Sequence, residues 1–274
     1  MKSLAVRPRN NKYFTQRRKD AKKGAKLTSL RLLCGFPALR ETILMKTLGL
    51  IGGTGPESTI DYYRLLTNQY REKADGASPP VVINSVDLKR MIGWMGAGEL
   101  NKVADYLVAE FEKLQRAGVD FAALTANTAH IVFDEIQQRI SLPLVSIVEA
   151  ACERTQSLGL KTVALFGTRY TMQGPFYPKV FSRTDVKLVT PSKEEQDYIH
   201  EKYFGELLKD VFLPETRARF LAIANEMKAR DGIEAVILGG TEIPLLLRTE
   251  EHNGVKLLDT TRIHVDRLIA EMLT

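Results

Sequence analysis

The sequence predicts an α/β protein with two similar lobes, each built on a mainly parallel sheet, and a ligand cleft between the lobes. Short apolar runs alternate with helical patterns along the chain, which is typical of parallel sheets covered by helices on both faces. Two of these runs end in similar polar sequences, Asn127-Thr128 and Thr241-Glu242. Because parallel sheets bind ligands at the carboxyl ends of their strands, we expect the two polar ends to face one cleft.

The first half of the pattern begins with apolar residues 48–51, which predict a buried strand that runs into a tight turn at Gly52-Gly53. Apolar residues recur at helical spacing over about 57–74 and over 99–117, where Gly118 can act as the C-cap. A further helix is predicted through residues 131–136. The remaining strands of this half are predicted at residues 81–85, 121–124 and 142–145.

A second series of elements starts near Lys161. Residues 193–230 predict two helices that divide near Pro214, and residues 260–273 predict a terminal helix. The strands of this half are predicted at residues 162–166, 186–189 and 236–238, and a strand at residues 255–258 follows the last of them. The repeated order of strands and helices favours a second parallel sheet.

The charge of the chain is unevenly distributed. Residues 1–44 carry 12 Lys and Arg but only Asp20 and Glu41 as acids, so this segment has a net charge of +10 and the remainder −4. The segment is predicted to be a disordered extension, with three interpretations. The interpretations are an artefactual upstream start ahead of a natural beginning at Met45, an organelle transit peptide, and a nucleic-acid-binding arm. The arm is disfavoured because the three aromatic residues of the segment do not alternate regularly with its basic residues as a stacking surface would require.

Length, apolar content and cysteine usage also restrict the class of protein and its location. The chain has 274 residues, of which 44% are apolar and 26% charged, as in an ordinary globular protein. No apolar run approaches the roughly 18 residues of a membrane-spanning helix. Cys34 and Cys152 are far apart and give neither a disulfide framework nor a metal-ligand spacing. We therefore expect a cytoplasmic protein with no membrane partner.

Five motifs follow one another in a recognisable order. They are Gly52-Gly53-Thr54-Gly55-Pro56-Glu57-Ser58, Leu124-Thr125-Ala126-Asn127-Thr128-Ala129-His130, Gly167-Thr168-Arg169-Tyr170-Thr171-Met172, Gly239-Gly240-Thr241-Glu242 and Asp259-Thr260-Thr261-Arg262-Ile263-His264. In this order they resemble the aspartate/glutamate racemases, from about Met45 to the C-terminus. Members of that family carry Cys-Asn-Thr-x-His or Thr-Asn-Thr-x-His at the first strand end and Gly-Cys-Thr-Glu at the second. Here Ala126 and Gly240 stand at the two cysteine positions.

The resemblance implies an architecture and a mode of action. It implies two pseudo-symmetric domains, a small amino acid or dicarboxylate between them, no cofactor, and often a homodimer. It also implies a C-terminal segment that returns to the first domain. We accordingly expect the first lobe to comprise residues 45–147 and about 253–274, and the second lobe to comprise residues 148–252.

The resemblance and the polar strand ends suggest which residues hold a ligand. Hydroxyls, an amide side chain and backbone N–H groups can bind the α-carboxylate and ammonium of an amino acid and stabilise charge that develops on the carboxylate. A glycine-rich turn lets the backbone approach an anion closely. Serine and threonine at turns serve as often as helix caps. The predicted binding residues are Gly53, Thr54, Ser85, Asn127, Thr128, Thr168, Thr171 and Thr241.

The proton carriers are harder to find. Racemisation needs an acid/base group on each face of Cα, and neither Ala126 nor Gly240 has a titratable side chain. The weak alternatives are Thr125, His130, Thr241 and Glu242. Thr125 is expected to point to the opposite side of its strand, whereas His130 and Glu242 suit structural or capping roles at least as well. Cys152 is read as a packed small hydrophobe, and Arg90 or Lys89 as a partner for a distal carboxylate or a solvated charge.

Three functions follow from these observations. The first is a racemase-family protein that binds a small amino acid or dicarboxylate, with two-cysteine racemisation absent or very weak. The second is a ligand-binding or regulatory protein that kept the pocket and lost the bases. The third is a lyase, decarboxylase or isomerase that uses a non-cysteine acid.

Overall fold

The computed structural model describes residues 45–274, and the basic segment 1–44 lies outside the described residues. The three interpretations of that segment therefore stay predictions. Within residues 45–274, no helix combines the length and the apolar character needed to cross a membrane.

The first sheet contains four strands: β1 (Leu48–Gly52), β2 (Val81–Ser85), β3 (Phe121–Leu124) and β4 (Leu144–Val145). All neighbouring strands are parallel, in the spatial order β2-β1-β3-β4. β1 and β3 are buried along their whole length. Burial on both faces explains why these two strands read as uninterrupted apolar runs.

Helices cover this sheet and lead out of it. They are α1 (Pro56–Lys73), α2 (Leu88–Gly96), α3 (Leu100–Arg116), a 3-10 helix (Thr128–Val132), α4 (Phe133–Arg139) and α5 (Ile147–Ser157). α2 was not predicted; it begins where the Asp87 side chain accepts a hydrogen bond from the amide of Arg90. The 3-10 helix is the segment that carries Thr128 and His130 directly after β3.

The second sheet contains five strands: β5 (Thr162–Gly167), β6 (Lys187–Val189), β7 (Ala235–Gly239), β8 (Glu251–His252) and β9 (Val255–Asp259). Their spatial order is β6-β5-β7-β9-β8, and only β8 pairs antiparallel, as an edge strand against β9. The helices of this half are α6 (Arg169–Gln173), α7 (Phe176–Phe181), α8 (Lys193–Gly205), a second 3-10 helix (Leu207–Lys209), α9 (Pro214–Asp231), α10 (Ile243–Leu247) and α11 (Thr260–Met272). The predicted α/β fold with two mainly parallel sheets is confirmed.

The C-terminal segment divides between the two halves, and the division differs from the predicted boundary near residue 253. β9 pairs with β7, and Val255 and Leu257 are buried in the core of the second sheet. α11 instead packs with α1 and the first sheet, where Val265 and Leu268 join a core cluster with Leu48. Residues 255–259 form the strand β9 on the edge of β7. The chain therefore returns to the first lobe only after Asp259.

Candidate functional site

A cavity of about 520 Å³, including the part that opens to solvent, lies between the carboxyl ends of the two sets of strands. The turn after β1, the segment after β3 and the inner face of α2 contribute Thr54, Leu88, Met91, Ile92, Met95, Ala126, Asn127, Thr128 and Ala129. The second lobe contributes Thr168, Tyr170, Tyr203, Phe204, Leu208, Gly240 and Thr241. The two polar strand ends therefore share one crevice.

Three hydroxyls form a cluster that joins the lobes. Thr128 Oγ1 lies 2.9 Å from Thr168 Oγ1 and 3.2 Å from Thr171 Oγ1, and the last two lie 3.2 Å from each other. Thr168 also caps α6, since its side chain accepts a hydrogen bond from the amide of Thr171. Each hydroxyl can rotate to donate or to accept. The cluster can thus turn toward either charged end of an amino acid without losing all its internal bonds.

Thr54 presents the least satisfied polar group of the cavity. Its side chain is 8% exposed, and its Oγ1 has no hydrogen-bond partner among the described residues. The turn that holds it depends on Gly53, which has φ +82° and would bring a Cβ to 2.6 Å from the Val86 carbonyl oxygen. A buried hydroxyl without a partner costs about 1–3 kcal/mol. A polar atom of a ligand in the cavity would remove that cost.

Asn127 lines the cavity, but its side chain is already engaged. Its Oδ1 accepts a hydrogen bond from the Tyr177 hydroxyl at 2.6 Å, and its Nδ2 donates to Thr260 Oγ1 at 3.1 Å. Thr260 in turn donates to the Leu238 carbonyl at 2.8 Å. The side chain of Asn127 therefore ties the end of β3 to α7 and α11, and one amide hydrogen is left over.

Ala126 and Gly240 both line this cavity, and a tyrosine ring covers the glycine. A Cβ built on Gly240 would lie 2.5 Å from Cε2 of Tyr203. Tyr203 is buried, and its hydroxyl donates a hydrogen bond to Glu242 Oε2. The space that a cysteine side chain would need at position 240 is therefore occupied by a phenol.

Glu242 lies behind Tyr203 and is 2% exposed. Its Oε2 also accepts from Thr241 Oγ1 at 3.0 Å, while its Oε1 has no partner within residues 45–274 and lies against Gly55. Burial raises the pKa of the Glu242 carboxyl above its usual range. Burial, and then the charge of Glu242, raise the pKa of Tyr203. The phenol thus keeps its proton and shares it with a carboxylate in a dry environment.

Several predicted site residues lie elsewhere. Thr125 donates to the Ile51 carbonyl at 2.9 Å and is fully buried between β1 and β3. His130 bonds through Nδ1 to the Ala126 carbonyl at 2.9 Å and through Nε2 to the Ile147 amide at 3.3 Å, and burial lowers its pKa to about 4. Neither side chain lines the cavity. Both are structural in this geometry.

The remaining predicted residues divide similarly. Gly53 and Thr171 support lining residues without lining the cavity, and Ser85 is exposed. Cys152 is packed in the core on α5, where burial raises the pKa of its thiol. In the described part of the chain, the lining contains no Cys, His, Lys or Arg, and no group of three His, Cys, Asp or Glu side chains is placed to hold a metal ion.

The predicted site residues did not include the apolar side chains of α2 that line the cavity, nor the lining residues Tyr170 and Tyr203. Leu88, Met91, Ile92 and Met95 follow helical spacing, a signal that predicts only packing unless the cavity is known. Tyr203 lies 37 residues before Gly240 on a helix of the same lobe. No local pattern indicates that contact.

Comparison with known proteins places this geometry in a family. Residues 51–268 match the model of the Asp/Glu/Hydantoin racemase family. A broad-specificity amino-acid racemase of Bacillus subtilis, RacX, is 33% identical over 144 residues, which cover 48% of this chain and 59% of that protein. The chain thus spans less than two thirds of the length of that curated relative.

Solved structures agree over longer stretches. A candidate Asp/Glu racemase from Yersinia pestis superposes with a TM-score of 0.77 at 29% identity, covering 84% of this chain and 100% of that one. An aspartate racemase homologue from Pyrococcus horikoshii superposes with a TM-score of 0.69 at 33% identity, covering 83% and 99%. The family match covers most of the chain and these structures share its two-lobed fold: the chain belongs to the Asp/Glu/Hydantoin racemase family.

Proposed function

We propose that this protein binds a small amino acid in the cavity between its lobes and does not racemise it by the two-thiol route. The observation that carries this proposal is that Ala126 and Gly240 line one cavity and neither offers a titratable side chain. The hydroxyls of Thr54, Thr128 and Thr168 support the binding half of the proposal. The name of the Bacillus relative supports an amino acid as the ligand class. We further propose a cytoplasmic homodimer without a cofactor, as the family resemblance implies.

Inversion at Cα requires one group to remove a proton from one face and another to deliver a proton to the opposite face. On the Ala126 side the cavity presents a methyl group. His130 cannot take over, because its two ring nitrogens are occupied and its pKa is lowered to about 4 by burial. Cys152 is on α5, where it is packed in the hydrophobic core and does not line the cavity. A bound amino acid would therefore keep its configuration.

The test of this proposal separates binding from turnover. We expect saturable binding of one or more free amino acids by calorimetry, and no appearance of the opposite enantiomer after prolonged incubation. Thr128→Val should weaken binding roughly ten- to a hundredfold, since a hydrogen bond to a charged ligand group is worth about 1.5–3 kcal/mol. Thr67→Val on α1, outside the cavity, is the matched control. Rapid racemisation of any bound amino acid would contradict the proposal.

A second candidate function rests on the hydrogen bond between Tyr203 and Glu242. In this scheme Tyr203 accepts a proton from a ligand carbon while its own phenolic proton passes to the Glu242 carboxylate, and the reverse transfer restores both groups. Burial raises the pKa of the Glu242 carboxyl, which favours its protonated form and so helps it to accept that proton. Because Ala126 offers no partner on the other face, the chemistry would be one-sided, as in exchange with retention or protonation after a bond to carbon is cleaved.

Tyr203→Phe tests this second candidate. We expect the wild-type protein to exchange Cα–H of a bound amino acid for deuterium in D₂O with retention of configuration, and the variant to lose the exchange while it still binds. Proton NMR of the recovered amino acid together with chiral chromatography measures both quantities. If the wild-type protein binds the amino acid but shows no exchange, Tyr203 has no catalytic role and the protein is a binding protein.

A further inference from the structure

We infer that the cavity selects an amino acid with an apolar side chain and rejects acidic ones. This inference rests on the proposed function, because it names the ligand class of the same site. It departs from the dicarboxylate that the sequence analysis allowed.

Apolar side chains from both lobes form one wall of the site. Four of them, Leu88, Met91, Ile92 and Met95, lie at helical spacing on a single face of α2. Phe204 and Leu208 add apolar surface from the second lobe. Contact with such a wall favours a ligand by roughly 25 cal/mol per Å² of apolar surface removed from water. The same contact does not stabilise a carboxylate, because the carboxylate loses its hydration there without gaining a partner.

The nearest candidate cations on α2 do not reach the cavity. The Arg90 guanidinium carbon lies 4.6 Å from the ring centroid of Trp94 and 5.2 Å from that of Tyr106, so this side chain is held outside by two aromatic faces. Lys89 is exposed and does not line the cavity. Within residues 45–274, the lining has no positive side chain to pair with a distal carboxylate.

The polar groups suffice for one charged end of a ligand. Thr54, with its unsatisfied Oγ1, and the Thr128–Thr168 hydroxyl pair are the groups placed to meet an α-carboxylate and ammonium. A second carboxylate would have to lie against the methionines of α2 or compete for the same hydroxyls. The cavity therefore matches an amino acid whose only charges are those of its α-carbon.

Three isosteric amino acids test this inference. L-Leucine, L-asparagine and L-aspartate have the same number and branching of side-chain heavy atoms and differ only in polarity and charge. We expect calorimetry to give L-leucine an affinity at least roughly tenfold higher than that of L-aspartate, because an unpaired carboxylate on an apolar wall loses more than 1.4 kcal/mol. L-Asparagine should fall between them.

A charge added to the wall should reverse the preference. Ile92 is half-buried on the cavity side of α2, so Ile92→Arg supplies a cation there, and we expect it to weaken L-leucine binding and strengthen L-aspartate binding. Leu88→Arg, also half-buried, is the second variant if the first folds poorly. Gly93→Arg is the matched control, because a Cβ there meets nothing within 4 Å and Gly93 is exposed.

The outcomes separate the inference from the proposed function. Tighter binding of L-leucine with a reversal in Ile92→Arg alone supports the inference. Equal or tighter binding of L-aspartate by the wild-type protein overturns the inference and leaves the proposed function standing. Failure of all three amino acids to bind, while another free amino acid binds, overturns the inference alone. Failure of every free amino acid to bind overturns both.

Discussion

Gly240→Cys is expected to lower the free energy of unfolding by about 3 kcal/mol, which is large against the stability of an ordinary domain. A Cβ at this position would lie 2.5 Å from Cε2 of Tyr203 and 3.2 Å from Cδ1 of Ile243. The ring has to move, and moving it breaks the hydrogen bond from its hydroxyl to the buried Glu242. Overpacking and a buried carboxyl without its donor then add together. Urea denaturation measures the loss.

Ala126→Cys is the matched control, because it adds the same sulfur to the other side of the same cavity. Ala126 lines open space and is 8% exposed, so we expect a change within about 1 kcal/mol. A double-mutant cycle with Tyr203→Ala identifies the cause, since the cost of Gly240→Cys should largely vanish once the ring is absent. A Gly240→Cys protein as stable as the wild type would show that the ring is not fixed against position 240.

This coupling bears on the proposed function. A cavity that had merely lost its second thiol would accept the thiol back. Here the phenol of Tyr203 fills the position, and Glu242 holds the phenol from behind. Restoring two-thiol chemistry therefore requires changes at Ala126, Gly240 and Tyr203 together. The site is organised around a different side chain, which is why we treat Tyr203 as the group that any residual proton transfer would use.

The strands and the polar strand ends could be predicted because their signals are local. β1, β3 and β7 are buried along their length, so burial alone dictates a continuous apolar run. Asn127-Thr128 and Thr241 follow such runs directly and could be expected at one sheet edge. The boundary at residue 253 assigned β9 to the first lobe, whereas β9 pairs with β7 of the second sheet. The sequence of a strand does not show which sheet edge it will pair with. β9 would have satisfied either sheet by composition.

The walls of the cavity could not be predicted for a related reason. Met91 and Met95 belong to the core cluster around Phe111 and also line the cavity, so their burial has two causes that a helical pattern cannot separate. The sequence allows Arg90 to pair with an anion, but in the structure its guanidinium group lies against the rings of Trp94 and Tyr106. The position of Tyr203 in the cavity depends on how α8 lies against Gly240, which follows β7. Each of these contacts is tertiary, and one sequence carries no signal for it.

Acidification from pH 7 to pH 5 is expected to cost about 4 kcal/mol of stability through two buried histidines. His264 is fully buried; its Nδ1 accepts from the Tyr62 hydroxyl at 2.9 Å and its Nε2 donates to the Val145 carbonyl at 3.1 Å. Burial lowers the pKa of His264 to about 3 and that of His130 to about 4. Both rings therefore stay neutral in the folded protein.

The sign follows from the unfolded chain, where both histidines titrate near an ordinary pKa of about 6.5. Above that value neither state binds the proton and stability does not depend on these groups. As the pH falls toward the folded pKa values, the unfolded state alone is protonated, and each histidine removes about 1.4 kcal/mol per pH unit. The buried Glu242 carboxyl, whose pKa is raised, acts with the opposite sign, so the measurement must compare variants.

His264→Gln isolates one of the two contributions, because a glutamine amide can accept from Tyr62 and donate to Val145 without titrating. We expect its loss of stability between pH 7 and pH 5 to be about 2 kcal/mol smaller than that of the wild type. Tyr62→Phe is the control, since it removes the hydrogen bond to the ring but leaves a buried neutral histidine, and it should lower stability at both pH values while keeping most of the slope. Equal pH slopes in the wild type and His264→Gln would mean that His264 gains its proton in the folded protein as readily as in the unfolded chain, and burial would then not be what keeps it neutral.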